Sequence, residues 1–181
     1  NTATIFTNLR GSTTSDQYQR LHRGIAGFDT SSIGDTDTID SAILSLVDNE
    51  EFILLGDPLF NFTSVTVADQ PILASGDYAV SNYGSTKFST GKANADMTIG
   101  SYADWTLNAS GLTNISKTAN SFFASRLEWD IDNSFGGAWA SNGTSGCSFR
   151  SADELGTTSD PKLVVEYTAA GGANHWLLMG V

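Results

Sequence analysis

Apolar and polar residues alternate along several short segments of this chain, with the period of two that is typical of β-strands. In the segment 39–47, Ala42, Leu44 and Leu46 fall on one face of such a strand. The Gly-diluted apolar run at 24–28 predicts a second strand, and a short acidic loop separates the two. No helical pattern of normal length separates the predicted strands, which argues against an α/β fold. Two similar sheets packed face to face would bury these stripes, so the pattern predicts an antiparallel β-sandwich.

The same pattern predicts where several elements begin and end. Residues 18–28 are predicted to form one strand, and residues 48–51 an acidic turn. Residues 122–131 are predicted as the longest aromatic strand, with Trp129 facing the core. Ser110 is the predicted N-cap of one short helical turn, because a serine hydroxyl can accept a bond from a free backbone N–H of the first turn.

Three motifs in order resemble a known family. They are FDTSSI at 28–33, IDSAILSL at 39–46, and FRSADE at 149–154 followed by PKLVVEY at 161–167. In this order they resemble the DNRLRE-type β-sandwich domains of extracellular, cell-surface and phage-associated proteins. The resemblance covers roughly residues 10–168. It implies a jelly-roll-like antiparallel β-sandwich with one short helical turn, and a location outside the cell, on its surface or on a virion.

Composition and charge narrow the classes of partner. A chain of 181 residues is long enough for one domain with a sizeable core. Nine Lys and Arg residues against 20 Asp and Glu give a formal net charge of −11, which argues against nucleic acid or an anionic membrane as a partner. No apolar run approaches the roughly 18 residues that a membrane-spanning helix needs, so no membrane span is expected.

The sequence offers little for catalysis. Cys147 is the single cysteine, and its place in a predicted strand favours a buried free thiol over an interchain bridge or a nucleophile. A nucleophilic cysteine needs a base, and His22 and His175 lie in quite different contexts. The pair Asp153 and Glu154 is predicted to be acidic surface. No nucleotide-binding, zinc-protease or hydrolase motif is present, so we expect a non-enzyme.

An aromatic loop suggests a carbohydrate-binding site. Phe135 and Trp139 flank a Gly-rich loop, and Arg126 is predicted to face solvent nearby. Aromatic rings stack on the apolar face of a sugar while polar groups hold its hydroxyls. Some members of the resembled family are attached to carbohydrate-active enzymes, and certain members act as carbohydrate-binding modules. The resemblance therefore supports a sugar as the alternative ligand.

The acidic loop between the predicted strands at 24–28 and 39–47 suggests a cation site. Asp35 and Asp37 could supply oxygen ligands to a structural Ca²⁺, which prefers six to eight oxygens. Their spacing does not match the EF-hand loop, and Asp is also a common turn residue. A structural Ca²⁺ and plain turn chemistry are both open, and no other cofactor is expected.

The C-terminal tail is unusually apolar. A single sandwich domain is predicted for residues 1–168, followed at 169–181 by a Gly-rich hinge and an apolar strand. The strand is expected to be buried somewhere, because an exposed strand of this type is an aggregation hazard. It either packs on its own domain or adds to a neighbouring subunit. The candidate assembly residues are Trp176, Leu177, Leu178 and Met179.

Together these features predict a non-catalytic structural module that is extracellular, on a cell surface or on a virion. Its role would be assembly, display or adhesion, with self-assembly through the C-terminal strand into a homo-oligomer. The alternative is a carbohydrate-binding module, whose partner would be a polysaccharide or a cell surface.

Overall fold

The structure is a computed structural model that describes residues 4–68, 75–153 and 156–180. Glu154 of the acidic pair and Val181 of the tail lie outside these ranges. Within them the chain forms strands β1 (Thr4–Gly11), β2 (Tyr18–His22), β3 (Gly24–Asp29), β4 (Thr38–Ile53), β5 (Phe60–Ser64), β6 (Tyr102–Thr106), β7 (Asn120–Leu127), β8 (Thr144–Arg150), β9 (Lys162–Thr168) and β10 (Asn174–Gly180). The helices are α1 (Ala109–Thr113) and α2 (Glu128–Ile131), with 3₁₀ turns at Ser75–Tyr78, Val80–Asn82 and Asn94–Asp96.

The strands form two antiparallel sheets. The larger sheet has the order β10-β9-β4-β8-β1-β2, with β6 also paired to β4. The smaller sheet has the order β3-β7-β5. Their pairing is antiparallel throughout, which confirms the predicted all-β sandwich.

Aromatic rings from the two sheets interlock in the core. Phe60 of β5 packs edge-to-face on Phe149 of β8, with the ring centroids 6.0 Å apart. Trp105 of β6 packs edge-to-face on Phe149 at 5.9 Å and on Phe62 of β5 at 5.1 Å. Each of these four side chains is at most 1% exposed. Since edge-to-face aromatic pairs stabilise beyond the area that they bury, this group fixes how one sheet sits on the other.

The segment 18–28 forms two strands and not the predicted single strand. The strand β2 pairs with β1 in the larger sheet, whereas β3 pairs with β7 in the smaller one. The chain crosses between the sheets at Arg23. Gly24 is required at this crossing, because a Cβ there would collide with the Cγ2 atom of Ile5. The period-two pattern continues through the crossing, so it does not mark the change of sheet.

The predicted acidic turn at 48–51 is also wrong. The strand β4 runs without a turn from Thr38 to Ile53, and it changes partner from β9 and β6 to β8 along its length. A bulge between Asp48 and Glu50 marks the change. The Asp48 side chain is fully buried there, which an exposed turn would not have allowed.

Two details around the helices differ from prediction. The aromatic strand 122–131 ends at Leu127, and Trp129 lies in the short helix α2. The N-cap of α1 is Asn108 and not Ser110. The Asn108 Oδ1 atom accepts bonds from the backbone N–H of Ser110 at 3.0 Å and of Gly111 at 3.1 Å.

Among the described residues, no helix has the length and apolar character needed to cross a membrane.

Candidate functional site

The C-terminal strand forms one edge of the larger sheet. The strand β10 pairs with β9 over seven consecutive residue pairs without a bulge. The predicted hinge is the turn of this hairpin, in which the Ala169 N–H donates to the Ala173 carbonyl at 2.9 Å. Gly172 has a φ of +85°, a backbone conformation that favours glycine. The tail therefore packs on its own domain, and within the described chain the outer side of β10 pairs with no strand.

The two faces of β10 differ in burial. Met179 is 6% exposed and joins the core, and Leu177 packs against the core. Trp176 and Leu178 point the other way and are 68% and 64% exposed. The prediction that the whole apolar run would be buried therefore holds for only one of its two faces.

The exposed side chains of β10 continue onto neighbouring strands. Leu178 lies opposite Val164 of β9, and Val164 lies opposite Ile43 of β4, which is 38% exposed. We call Trp176, Leu178, Val164 and Ile43 the outer strip. The strand β10 itself contains no Asp, Glu, Lys or Arg. It thus lacks the charges, proline and bulge with which proteins commonly protect a free strand edge.

The aromatic loop forms a small cluster with the start of β2. The Phe135 ring lies 4.8 Å from the Trp129 ring and 5.3 Å from the Tyr18 ring, measured between centroids. The Trp139 Nε1–H donates to the backbone carbonyl of Gln17 at 3.4 Å. Tyr18 is 42% exposed, while the other three rings are half-buried. Sequence reasoning missed Tyr18, because nothing in the local pattern links β2 to a loop so distant in the chain.

Arg126 is not part of this cluster, and the prediction that it faces solvent is wrong. It is 4% exposed, and its Nε–H donates to Asp130 Oδ2 at 2.6 Å. Its Nη1–H donates to the Gly84 carbonyl at 2.7 Å. Arg23 also bonds Asp130, with Nη2 and Oδ1 2.7 Å apart. Burial alone would raise the pKa of Asp130, but the hydrogen bonds from both guanidinium groups lower it overall.

The acidic loop is organised by hydrogen bonds within the protein. The Asp37 carboxylate accepts from the backbone N–H of Gly34 at 3.0 Å and of Ala170 at 3.1 Å. The Lys117 ammonium donates to the carbonyls of Asp35 at 2.7 Å and Asp37 at 2.8 Å. In the described ranges, no group of three His, Cys, Asp or Glu residues is placed to hold a metal ion. Calcium binding at Asp35 and Asp37 stays a prediction without added support.

The single cysteine is enclosed in the core. Cys147 is a free thiol with 0% exposure, which confirms the predicted buried cysteine. Burial is the main cause that raises the pKa of this thiol, so the thiolate form is disfavoured. His22 packs near Phe6, with the ring centroids 5.7 Å apart, and His175 stacks on Tyr167 at 5.5 Å.

Comparisons of this chain with known proteins found no match. No family model matches the chain, and no curated protein or solved structure matches it. The resemblance to DNRLRE-type domains therefore stays a prediction from the sequence.

Proposed function

We propose that this protein is a non-catalytic structural module that assembles through the free edge of β10. The observation that carries the proposal is the exposure of Trp176 and Leu178 on an uncharged edge strand. An unpaired edge presents backbone N–H and C=O groups that a further strand can bond, and exposed apolar side chains add a reason to be covered. The extracellular, cell-surface or virion setting of this role rests on the family resemblance.

A second copy of the same chain is a suitable partner for this edge. Antiparallel pairing of β10 with β10 of another subunit, centred on Leu177, places each Trp176 opposite the other subunit's Leu178 position. Such a two-fold contact is self-complementary and closes as a dimer. Because β10 carries no charged side chain, this edge brings no like charges together in a protein of net charge −11.

A charge-exchange experiment tests the pairing. One variant carries Trp176→Lys and Leu178→Lys, and the other carries Trp176→Glu and Leu178→Glu. We expect each variant alone to be monomeric, because like charges would oppose each other across the new strand pair. Mixed at equal concentration, the two should form a heterodimer that native mass spectrometry resolves by mass.

A control variant separates the loss of strand pairing from a general effect of added surface charge. Leu54 is 73% exposed and lies outside the outer strip, so Leu54→Lys should leave self-association unchanged. Failure of the two charged variants to pair with each other, while the wild type still associates, would show that another surface mediates assembly.

The aromatic cluster supports carbohydrate binding as a second candidate function. Tyr18, Phe135 and Trp139 form a partly exposed group at one end of the sandwich, and exposed rings are platforms for sugars. Trp139→Ala and Tyr18→Ala should each weaken the retardation of the protein in a gel containing a soluble polysaccharide. Trp176→Ala, which removes an exposed ring from β10, is the matched control and should leave retardation unchanged.

A further inference from the structure

A cavity of about 380 Å³ lies at the corner where the chain crosses from β2 to β3. This volume is at the lower end of the range of about 300–1,000 Å³ for small-molecule sites. Most of its wall is apolar or aromatic. The residues that form this part of the wall are Ile5, Phe6, Leu21, Ile25 and Tyr78.

Arg23 supplies a fixed positive charge in the cavity wall. Its Nε and Nη2 atoms donate side-on to the two carboxylate oxygens of Asp130, at 2.8 and 2.7 Å. This pairing leaves the end of the guanidinium, with Nη1 and the second hydrogen of Nη2, without a bond in the described part of the chain. A planar guanidinium can serve two bidentate acceptors, one on each edge.

The ion pair with Asp130 does not cancel this charge. Asp130 also accepts from Arg126 at 2.6 Å, so two guanidinium groups share this one carboxylate. His22 lines the same cavity, and its Nδ1 atom is enclosed without a hydrogen-bond partner among the described residues. Burial, aided by the nearby Arg20, lowers the pKa of His22, so the imidazole is neutral at pH 7.

We infer that this corner cavity binds a small carboxylic acid with an apolar body, such as an aromatic or short aliphatic carboxylate. The free end of Arg23 holds the carboxylate in two parallel hydrogen bonds. Phe6 and Tyr78, which are 39% and 48% exposed, cover the apolar body. A ligand with many hydroxyl groups fits less well, because most of its hydroxyl groups would face apolar side chains. In the described part of the chain, only Thr4, His22 and Arg23 contribute polar side chains to the wall.

Benzoate is the probe that tests this inference, and benzyl alcohol is its neutral counterpart. In a two-dimensional ¹⁵N NMR titration of the full chain, benzoate should shift the signals of Phe6, His22 and Arg23 and reach saturation. Benzyl alcohol should bind at least about tenfold more weakly, since it forms no charge-assisted hydrogen bond with Arg23. Equal affinity for the two probes, or saturable shifts elsewhere only, would overturn the inference.

Two variants locate the binding on named residues. Arg23→Lys keeps the charge but loses the planar edge, and should weaken benzoate binding about tenfold or more. Tyr78→Ala removes part of the wall and should also weaken it, whereas Tyr18→Ala, a similarly exposed tyrosine outside the cavity, should not. If Arg23→Lys fails to fold, the Tyr78→Ala and Tyr18→Ala pair decides the outcome, and equal effects of those two would contradict the assignment.

Discussion

The guanidinium of Arg23 and the carboxylate of Asp130 form a two-point ion pair that joins the β2–β3 crossing to helix α2. The Asp130 and Arg23 side chains are only 8% and 15% exposed. Arg126 bonds the same carboxylate from β7, and Arg23 and Arg126 both lie over the Tyr83 ring, at 5.1 and 5.6 Å from its centroid. The group holds the corner of the sandwich and orients Arg23 in the cavity wall.

Asp130→Asn should destabilise the fold strongly. The substitution leaves two largely buried guanidinium groups without their counter-ion, a loss of about 3–5 kcal/mol in the free energy of unfolding. Urea denaturation at pH 7 measures this loss in the free energy of unfolding. Asp132→Asn is the matched control from the adjoining C-cap of α2, because Asp132 is 50% exposed and its partner Lys87 is 31% exposed. Its effect should stay within about 1 kcal/mol, and equal effects of the two substitutions would contradict this account.

Asp48 should make stability fall as the pH rises. Burial, with Glu51 beside it, raises the pKa of Asp48 from 3.8 to about 6 in the folded protein. The folded state therefore holds the proton of Asp48 more tightly than the unfolded chain does. The stability that this proton contributes to the fold is complete below pH 3.8 and is lost as the pH rises through about 6.

Asp48→Asn removes this titration. The variant should gain stability relative to the wild type between pH 4.5 and pH 7, by on the order of 1–2 kcal/mol. Urea denaturation at the two pH values measures the difference. Asp104→Asn changes an exposed acid on β6 and should show no comparable change with pH. A wild-type stability that rises steadily from pH 4.5 to pH 7, unaltered in Asp48→Asn, is the result that would refute this assignment.

Gly146 should tolerate no side chain. Its φ is +132°, and a Cβ there would collide with the carbonyl oxygen of Thr7 and with Asn8 on the adjacent strand β1. Gly146→Ala should therefore cost at least about 2 kcal/mol of stability or prevent folding. Gly76→Ala is the control, since nothing lies within 4 Å of a Cβ at that position. Thermal unfolding of both variants measures the contrast, and similar melting temperatures would contradict the prediction.

Periodicity was enough to predict the fold class and several strands. The strand around Leu44 was recognisable because Ala42, Leu44 and Leu46 recur at every second position, and the one around Val165 because its buried and less buried residues alternate. The crossing at Arg23 and the helix at Trp129 were not, because a change of sheet or a single helical turn leaves the apolar pattern almost unaltered. Tertiary contacts decide those points.

The candidate sites were predictable in part. The apolar character of 176–179 was evident, but the division between buried Met179 and exposed Leu178 depends on the partner strand. Arg126 was misplaced because its burial depends on Asp130, whose role as a counter-ion no pattern reveals. The corner cavity is assembled from β1, β2, β3 and a 3₁₀ turn, so no single segment indicates it.

Light scattering over a range of concentrations gives the molar mass in solution, which tests whether the protein assembles through β10. Leu178→Lys is a better variant than truncation after the hairpin turn, because truncation would also remove Met179 from the core. We expect the wild type and Leu54→Lys to associate to at least a dimer, and Leu178→Lys to be a folded monomer. A wild type that stays monomeric at all concentrations, or a Leu178→Lys variant that associates like the wild type, would contradict assembly through β10.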